Sequence, residues 1–136
     1  MAASSLPAAL VPVLAGAGSN STAQAIMLSR HSKKVGADAA LSVVPYYNKP
    51  TQEGLYRHFA KIAESVDIPI VIYNVPSRTV ADISVETLAR LSKIANIVGT
   101  KDATGNMARA SREREALPEK FIRLSGEDAT TLGFMA

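Results

Sequence analysis

One rhythm constrains this chain more than any other feature: a short apolar run, a turn, then an amphipathic stretch, repeated along the sequence. The apolar runs occupy residues 11–15, 39–44, 68–73, 96–99 and 121–124. They are short, β-branched and mostly apolar on both faces, as parallel strands covered by helices should be. Between them the period becomes helical. Leu55, Phe59, Ile62, Ala63 and Val66 share one helical face. Ser84 is placed to cap a helix whose Val85, Leu88 and Leu91 turn inward. Residues 22–35 form a weaker helix closed by Gly36 as a left-handed cap. Residues 105–115 form another, stopped near Pro118, and Asp128 is placed to cap a last one.

The strand onsets fall about 25–30 residues apart, the period of consecutive βα units. The expected fold is therefore α/β with about five such units. Two architectures satisfy that pattern: part of a (β/α)8 barrel, or an open five-stranded doubly wound parallel sheet. A single domain is expected over residues 11–136, preceded by a leader over 1–10. That leader has no basic n-region and a proline at the start of its apolar run, so it reads as an entry into a buried strand rather than a signal peptide.

Composition narrows the function classes. The net charge is only +3 and the basic residues are scattered, with Lys33-Lys34 the one tight pair, so a nucleic-acid partner is not expected. No apolar stretch is long enough to cross a bilayer, so no membrane role is expected. The absence of cysteine removes disulfides, thiolate catalysis and cysteine metal sites, and it fits a cytoplasmic location.

In both architectures ligands bind at the C-terminal ends of the strands, so polar residues there carry the chemistry. The second run ends in Pro45-Tyr46-Tyr47-Asn48-Lys49-Pro50 and the third in Tyr73-Asn74-Val75-Pro76-Ser77-Arg78-Thr79. The fourth ends in Gly99-Thr100-Lys101-Asp102-Ala103-Thr104-Gly105, the fifth in Ser125-Gly126-Glu127-Asp128. Lys101 directly follows an apolar strand. An amine in that mouth is partly desolvated, which disfavours the ammonium and frees the nitrogen to attack a carbonyl. The plainer reading pairs it with Asp102 or a neighbouring carboxylate.

Tyr46, Tyr47 and Tyr73 are three of the four tyrosines and all sit at strand ends. A phenol there either relays protons or plugs the fold, ring buried and hydroxyl bonded. Arg78 lies on a loop where it can grip a carboxylate bidentately or simply face solvent. Gly16-Ala17-Gly18-Ser19-Asn20-Ser21 lacks the third glycine of a dinucleotide loop, and there is no phosphate-loop Gly-Lys-Ser/Thr. His31 and His58 fall in helical stretches without metal-site spacing and are expected on the surface.

Taken together, the four strand ends resemble the dihydrodipicolinate synthase family, pyruvate-dependent class I aldolases. The motifs Pro-Tyr-Tyr-Asn-Lys-Pro, Tyr-Asn-Val-Pro-Ser-Arg-Thr, Lys-Asp-Ala-Thr-Gly and Leu-Ser-Gly-Glu-Asp stand in family order from residue 11 onward. The resemblance implies that Lys101 forms a Schiff base with pyruvate and that Tyr73 relays protons beside it. It implies that Tyr47 completes the relay across a subunit interface, so a homo-oligomer is expected. Arg78 would bind the carboxylate of aspartate semialdehyde, and Gly126 would line the pocket. No metal or cofactor is implied.

The family's Gly-Thr-Thr-Gly-Glu loop, which binds the pyruvate carboxylate, has no counterpart in this sequence, nor does its eighth strand. The segment resembles strands three to seven of eight. A non-catalytic homologue that folds by associating with another copy, or with a full-length relative, is the alternative expectation. Asn20 and Tyr46 match positions of a lysine effector site. Gln24 stands where lysine-inhibited members carry an acid, so little lysine feedback is expected.

Overall fold

The computed structural model describes residues 10–136, so all but the last residue of the expected leader lies outside the described residues. The expected rhythm is present as β1 (Leu14–Gly16), α1 (Thr22–Lys34), β2 (Ala39–Val43), α2 (Gln52–Ser65), β3 (Ile70–Asn74), α3 (Pro76–Thr79), α4 (Val85–Leu91), β4 (Ile97–Asp102), α5 (Met107–Ala116), β5 (Ile122–Ser125) and α6 (Thr131–Met135). All four strand pairings are parallel and the spatial order is β1-β2-β3-β4-β5. That order decides between the two architectures. A doubly wound sheet reverses its strand order at a switch point and places helices on both faces. Here every crossover steps the same way, as along the arc of a (β/α)8 barrel.

Burial agrees with the arc. On the outer face Ala40, Ser42, Ile70, Ile72, Asn74, Thr100 and Asp102 are buried under the helices, whereas the inner-face Leu41, Val43, Tyr73 and Lys101 are only half-buried. The core therefore lies between sheet and helices. Leu55, Phe59 and Ile62 of α2 and Leu88 and Leu91 of α4 pack there with Ile70 and Ile72. Each such fully buried side chain contributes about 1.5–3 kcal/mol of transfer free energy.

The helix ends are closed by their own side chains. Ser21, Thr51, Ser84 and Asn106 each accept a backbone N–H in the first turn of α1, α2, α4 and α5. Gly36, at φ +90, turns the chain out of α1 as the sequence suggests. β3 and β5 start later than expected, at Ile70 and Ile122, and three further differences stand out. β1 begins at Leu14 rather than residue 11, because pairing with β2 starts only at Ala39. β4 runs on to Asp102, so Lys101 lies inside the strand. Glu127, not Asp128, caps the last turn, a 3-10 helix that precedes α6.

Candidate functional site at the mouth of the sheet

Register places the chemistry. Val43 pairs with Tyr73, Tyr73 with Lys101, and Lys101 with Leu124, so these four side chains form one layer on the inner face. Lys101 Nζ lies 4.8 Å from the centroid of the Tyr73 ring, in cation–π range. Asp102 does not pair with Lys101. As the next residue along the strand it points to the opposite face, where Arg109 Nε meets its Oδ2 at 2.8 Å. Among the described residues no carboxylate bridges Lys101. The plainer reading of that lysine therefore does not hold.

Gly126 has a steric reason to be glycine. A Cβ there would meet Ala103 Cβ at 2.9 Å, the Asp102 carbonyl oxygen at 3.2 Å and Lys101 Cε at 3.2 Å. Its N–H also donates to the Asp102 carbonyl at 2.6 Å. The absent side chain leaves room for the lysine stem.

The remaining expected residues sit around this mouth. Arg78 is exposed on α3, a single turn opened by Pro76. Tyr47 has a φ of 75° and a side chain 87% exposed, so it is not a buried plug. Val80, just past Arg78, has a φ of 64°. A non-glycine residue in that region costs about 1–3 kcal/mol, a strain that clusters at functional loops. The two loops touch: the Tyr47 N–H donates to the Thr79 carbonyl at 3.4 Å. Asn20 Nδ2 donates to the Tyr46 carbonyl at 3.1 Å, bringing those two positions together, while the Gln24 amide oxygen accepts from Ser19 Oγ at 2.7 Å.

His31 is exposed as expected, but His58 is not. A residue of α2, it is bonded through Nδ1 to Thr22 Oγ1 at the start of α1 at 2.8 Å, with Nε2 unpartnered. Burial holds the imidazole down at about 4, so it is neutral near pH 7. A cavity of about 870 Å³ beside α2 is lined by His58, Tyr56, Ala60 and Ile94, and Lys101 is not part of its lining. It is open and mostly apolar and holds none of the strand-end residues.

Sequence reasoning missed a buried charge cluster behind the sheet. Arg109 and Glu113 of α5 are buried with Asp102, and Arg109 also reaches Asp82. Burial pushes the Glu113 carboxyl up, opposed by the Arg109 charge. A signal was present. Arg109, Glu113 and Leu117 recur at helical spacing, and a helix so poor in large apolar residues has little else to turn inward.

A sequentially wound arc of βα units, with a lysine and a tyrosine facing each other at the C-terminal mouth, defines this chain as part of an α/β barrel of the (β/α)8 kind. The chain belongs to the dihydrodipicolinate synthetase family, whose pattern residues 2–136 match. It is 63% identical over 127 residues to the 4-hydroxy-tetrahydrodipicolinate synthase of Rhizobium meliloti, covering 93% of this chain and 43% of that protein. It is 61% identical over 126 residues to the synthase of Nitrobacter hamburgensis, with the same two coverages.

Among solved structures it superposes with a TM-score of 0.90 on dihydrodipicolinate synthase from Aquifex aeolicus, at 55% identity over 92% of this chain and 43% of that one. The TM-score is 0.91, at 52% identity over 93% of this chain and 43% of that one, for the chloride-inhibited enzyme of Acinetobacter baumannii complexed with pyruvate. The chain thus spans somewhat under half the length of these relatives. Among the described residues no helix is long and apolar enough to cross a membrane.

Proposed function

We propose that this chain supplies the Schiff-base chemistry of a synthase that condenses pyruvate with aspartate semialdehyde, with Lys101 as the nucleophile. The observation that carries the reading is Lys101 itself: an amine at the sheet mouth, on the face of Tyr73, free of a bridging carboxylate, with space for its stem beside Gly126. The names of its relatives and the pyruvate bound in one of them support the substrate class.

The steps follow from elementary chemistry. The neutral Lys101 nitrogen adds to the keto carbon of pyruvate, and the former keto oxygen leaves as water after gaining two protons, giving an imine. With the imine nitrogen protonated, loss of a proton from the pyruvate methyl group gives an enamine. Its carbon attacks the aldehyde of the second substrate while the aldehyde oxygen gains a proton. The imine that re-forms is then displaced from Lys101 by the amine of the second substrate or by water. Tyr73, whose ring lies 4.8 Å from the Lys101 amine, is the group to which we assign the carriage of those protons. Tyr47, strained and exposed, is suited to reach into a second copy of the chain, making the working unit a homo-oligomer. Arg78 offers a planar fork to the carboxylate of aspartate semialdehyde. Asn20 and Tyr46, bonded to each other, match an effector site, and with neutral Gln24 in place of an acid little or no response to lysine is expected.

The second reading, a non-catalytic homologue that folds by association, is favoured by the inner face and sheet edge, where Ile122 and Leu124 of β5 remain exposed. The two readings separate in one assay. The chain is incubated with pyruvate and aspartate semialdehyde, and aldehyde consumption is compared with that of Lys101→Ala. Pyruvate-dependent consumption lost in the variant supports catalysis. Equal rates would assign the chain to the second reading.

A further inference from the structure

Adjacent residues on a strand point to opposite faces, so behind Tyr73 and Lys101 stand Asn74 and Asp102. Both are buried, and both are bonded into the cluster centred on Arg109. The guanidinium Nε donates to Asp102 Oδ2 and to Glu113 Oε1, each at 2.8 Å. Nη1 meets Asp82 Oδ1 at 3.3 Å and Nη2 donates to the Ile83 carbonyl at 2.7 Å. Asn74 grips the same segment, its Nδ2 donating to Asp82 Oδ1 at 2.8 Å and its Oδ1 accepting from the Ile83 N–H at 3.3 Å. Its carbonyl accepts from the Ala103 N–H at 2.9 Å. Asp102 Oδ1 is filled by the Thr104 N–H at 2.8 Å and hydroxyl at 2.6 Å.

One side chain on α5 therefore bonds two segments that carry the front of the site directly and a third through Asp82. The two are the end of β4 beside Lys101 and the Asp82–Ile83 stretch that closes the Arg78 loop, and the third is the end of β3 beside Tyr73. A buried guanidinium is costly to desolvate, and a generic helix–sheet contact needs only apolar residues. The fork shape is what the site uses, since its nitrogens reach acceptors on separate segments in one plane.

We propose that Arg109 is a positioning residue. From behind the sheet it fixes Lys101 against Tyr73 and sets both relative to the Arg78 loop. This deepens the imine reading and rests on it for the catalytic consequence. The mechanical consequence stands alone: the 75–84 and 101–106 segments should loosen together when the fork is lost.

The test compares the chain with Arg109→Lys, which keeps the charge but not the fork, and with Asp82→Ala. The latter removes the half-exposed acceptor shared by Arg109 Nη1 and Asn74 Nδ2 but leaves the Arg109 bonds to Asp102, Glu113 and Ile83 in place. Hydrogen exchange is followed over 75–84 and 101–106, with 55–66 of α2 as the folded control. Borohydride trapping of the pyruvate imine is measured against pyruvate concentration. For Arg109→Lys the expected result is exchange at least about tenfold faster in both segments, with the control unchanged. The maximal trapping rate should fall about 10–100-fold while the half-saturating pyruvate concentration stays within about twofold. Asp82→Ala should show the same pattern with smaller effects.

Exchange that rises in only one segment, or trapping unchanged while both loosen, would overturn the proposal, as would wild-type behaviour in both variants. Should Arg109→Lys fail to fold, Asp82→Ala decides by the same criteria. Should the unsubstituted chain form no imine, the imine reading falls, and the exchange pattern alone decides for or against the clamp.

Discussion

The two faces of the sheet obey different rules, and β4 shows the contrast within two residues. Asp102, facing the helices, has both carboxylate oxygens filled by Thr104 and Arg109 and sits in a packed, buried layer. Lys101, facing the mouth, has the Tyr73 ring beside its amine and, among the described residues, no ion-pair partner. Behind the sheet, free energy comes from burial, capping and polar groups most of which are bonded, with Ser42 Oγ and Glu113 Oε2 left without a partner. In front of it, side chains are left half-buried with unused bonding capacity. Reactivity needs that second condition, and it is tolerable because the first face supplies the stability.

The contrast is strongest in the packing. Phe59 is wholly buried against the outer face, so Phe59→Ala should cost about 3–5 kcal/mol. Leu124, 39% exposed on the inner face, should cost under about 1 kcal/mol on the same change. Urea unfolding of both variants measures the difference, and equal losses would mean that the inner face is packed as tightly as the outer.

The next largest effect is a pH dependence that belongs to the outer face. Burial holds His58 at about 4, against 6.5 for the free side chain. The unfolded chain binds the proton more readily, so this contribution is fully present above pH 6.5 and is lost as the pH falls through 4. It amounts to at most about 3.5 kcal/mol. His58→Asn should flatten the fall of the urea midpoint across that window. Glu113 works with the opposite sign. Its raised pKa favours the folded state at low pH, and that contribution fades as the pH rises through the raised value. An unchanged slope in His58→Asn would assign the acid dependence elsewhere.

Gly126→Ala probes the inner face. The added methyl would press on Ala103 and the Lys101 stem, so trapping of a pyruvate imine should slow about tenfold or more. Unfolding should move far less than for Phe59→Ala, and a variant trapped at the original rate would mean the lysine stem has other room.

The smallest effect tests an exception. Ser42 is buried on the outer face yet its hydroxyl has no partner, so Ser42→Ala should be neutral or stabilising, within about 1 kcal/mol. A clear loss of stability would show that the hydroxyl is bonded in solution.

The same contrast explains what could be read from the chain alone. Apolar runs and helical stripes mark packing, so the five βα units, the Ser84 cap and the Gly36 exit were legible. So was the clustering of Lys101 and Tyr73 at the strand ends. The end of β4 was hidden because Thr100, Lys101 and Asp102 are polar, and a barrel mouth overrides the apolar signature of a strand. His58 looked like a surface residue because its neighbours Leu55, Phe59 and Ile62 already complete an apolar stripe. Arg109 and Glu113 imitate a solvent-exposed i,i+4 pair, and only the partners brought by β4 and the Asp82–Ile83 segment reveal them as buried. The single turn at Pro76–Thr79 is too short to leave a period.

Reduction with borohydride in the presence of pyruvate, followed by intact-mass and peptide analysis, tests the central claim most directly. The account predicts one pyruvate-derived adduct, on Lys101, and none on exposed lysines such as Lys33 or Lys61. A folded chain that forms no adduct, or that spreads adducts over its surface lysines, would contradict it.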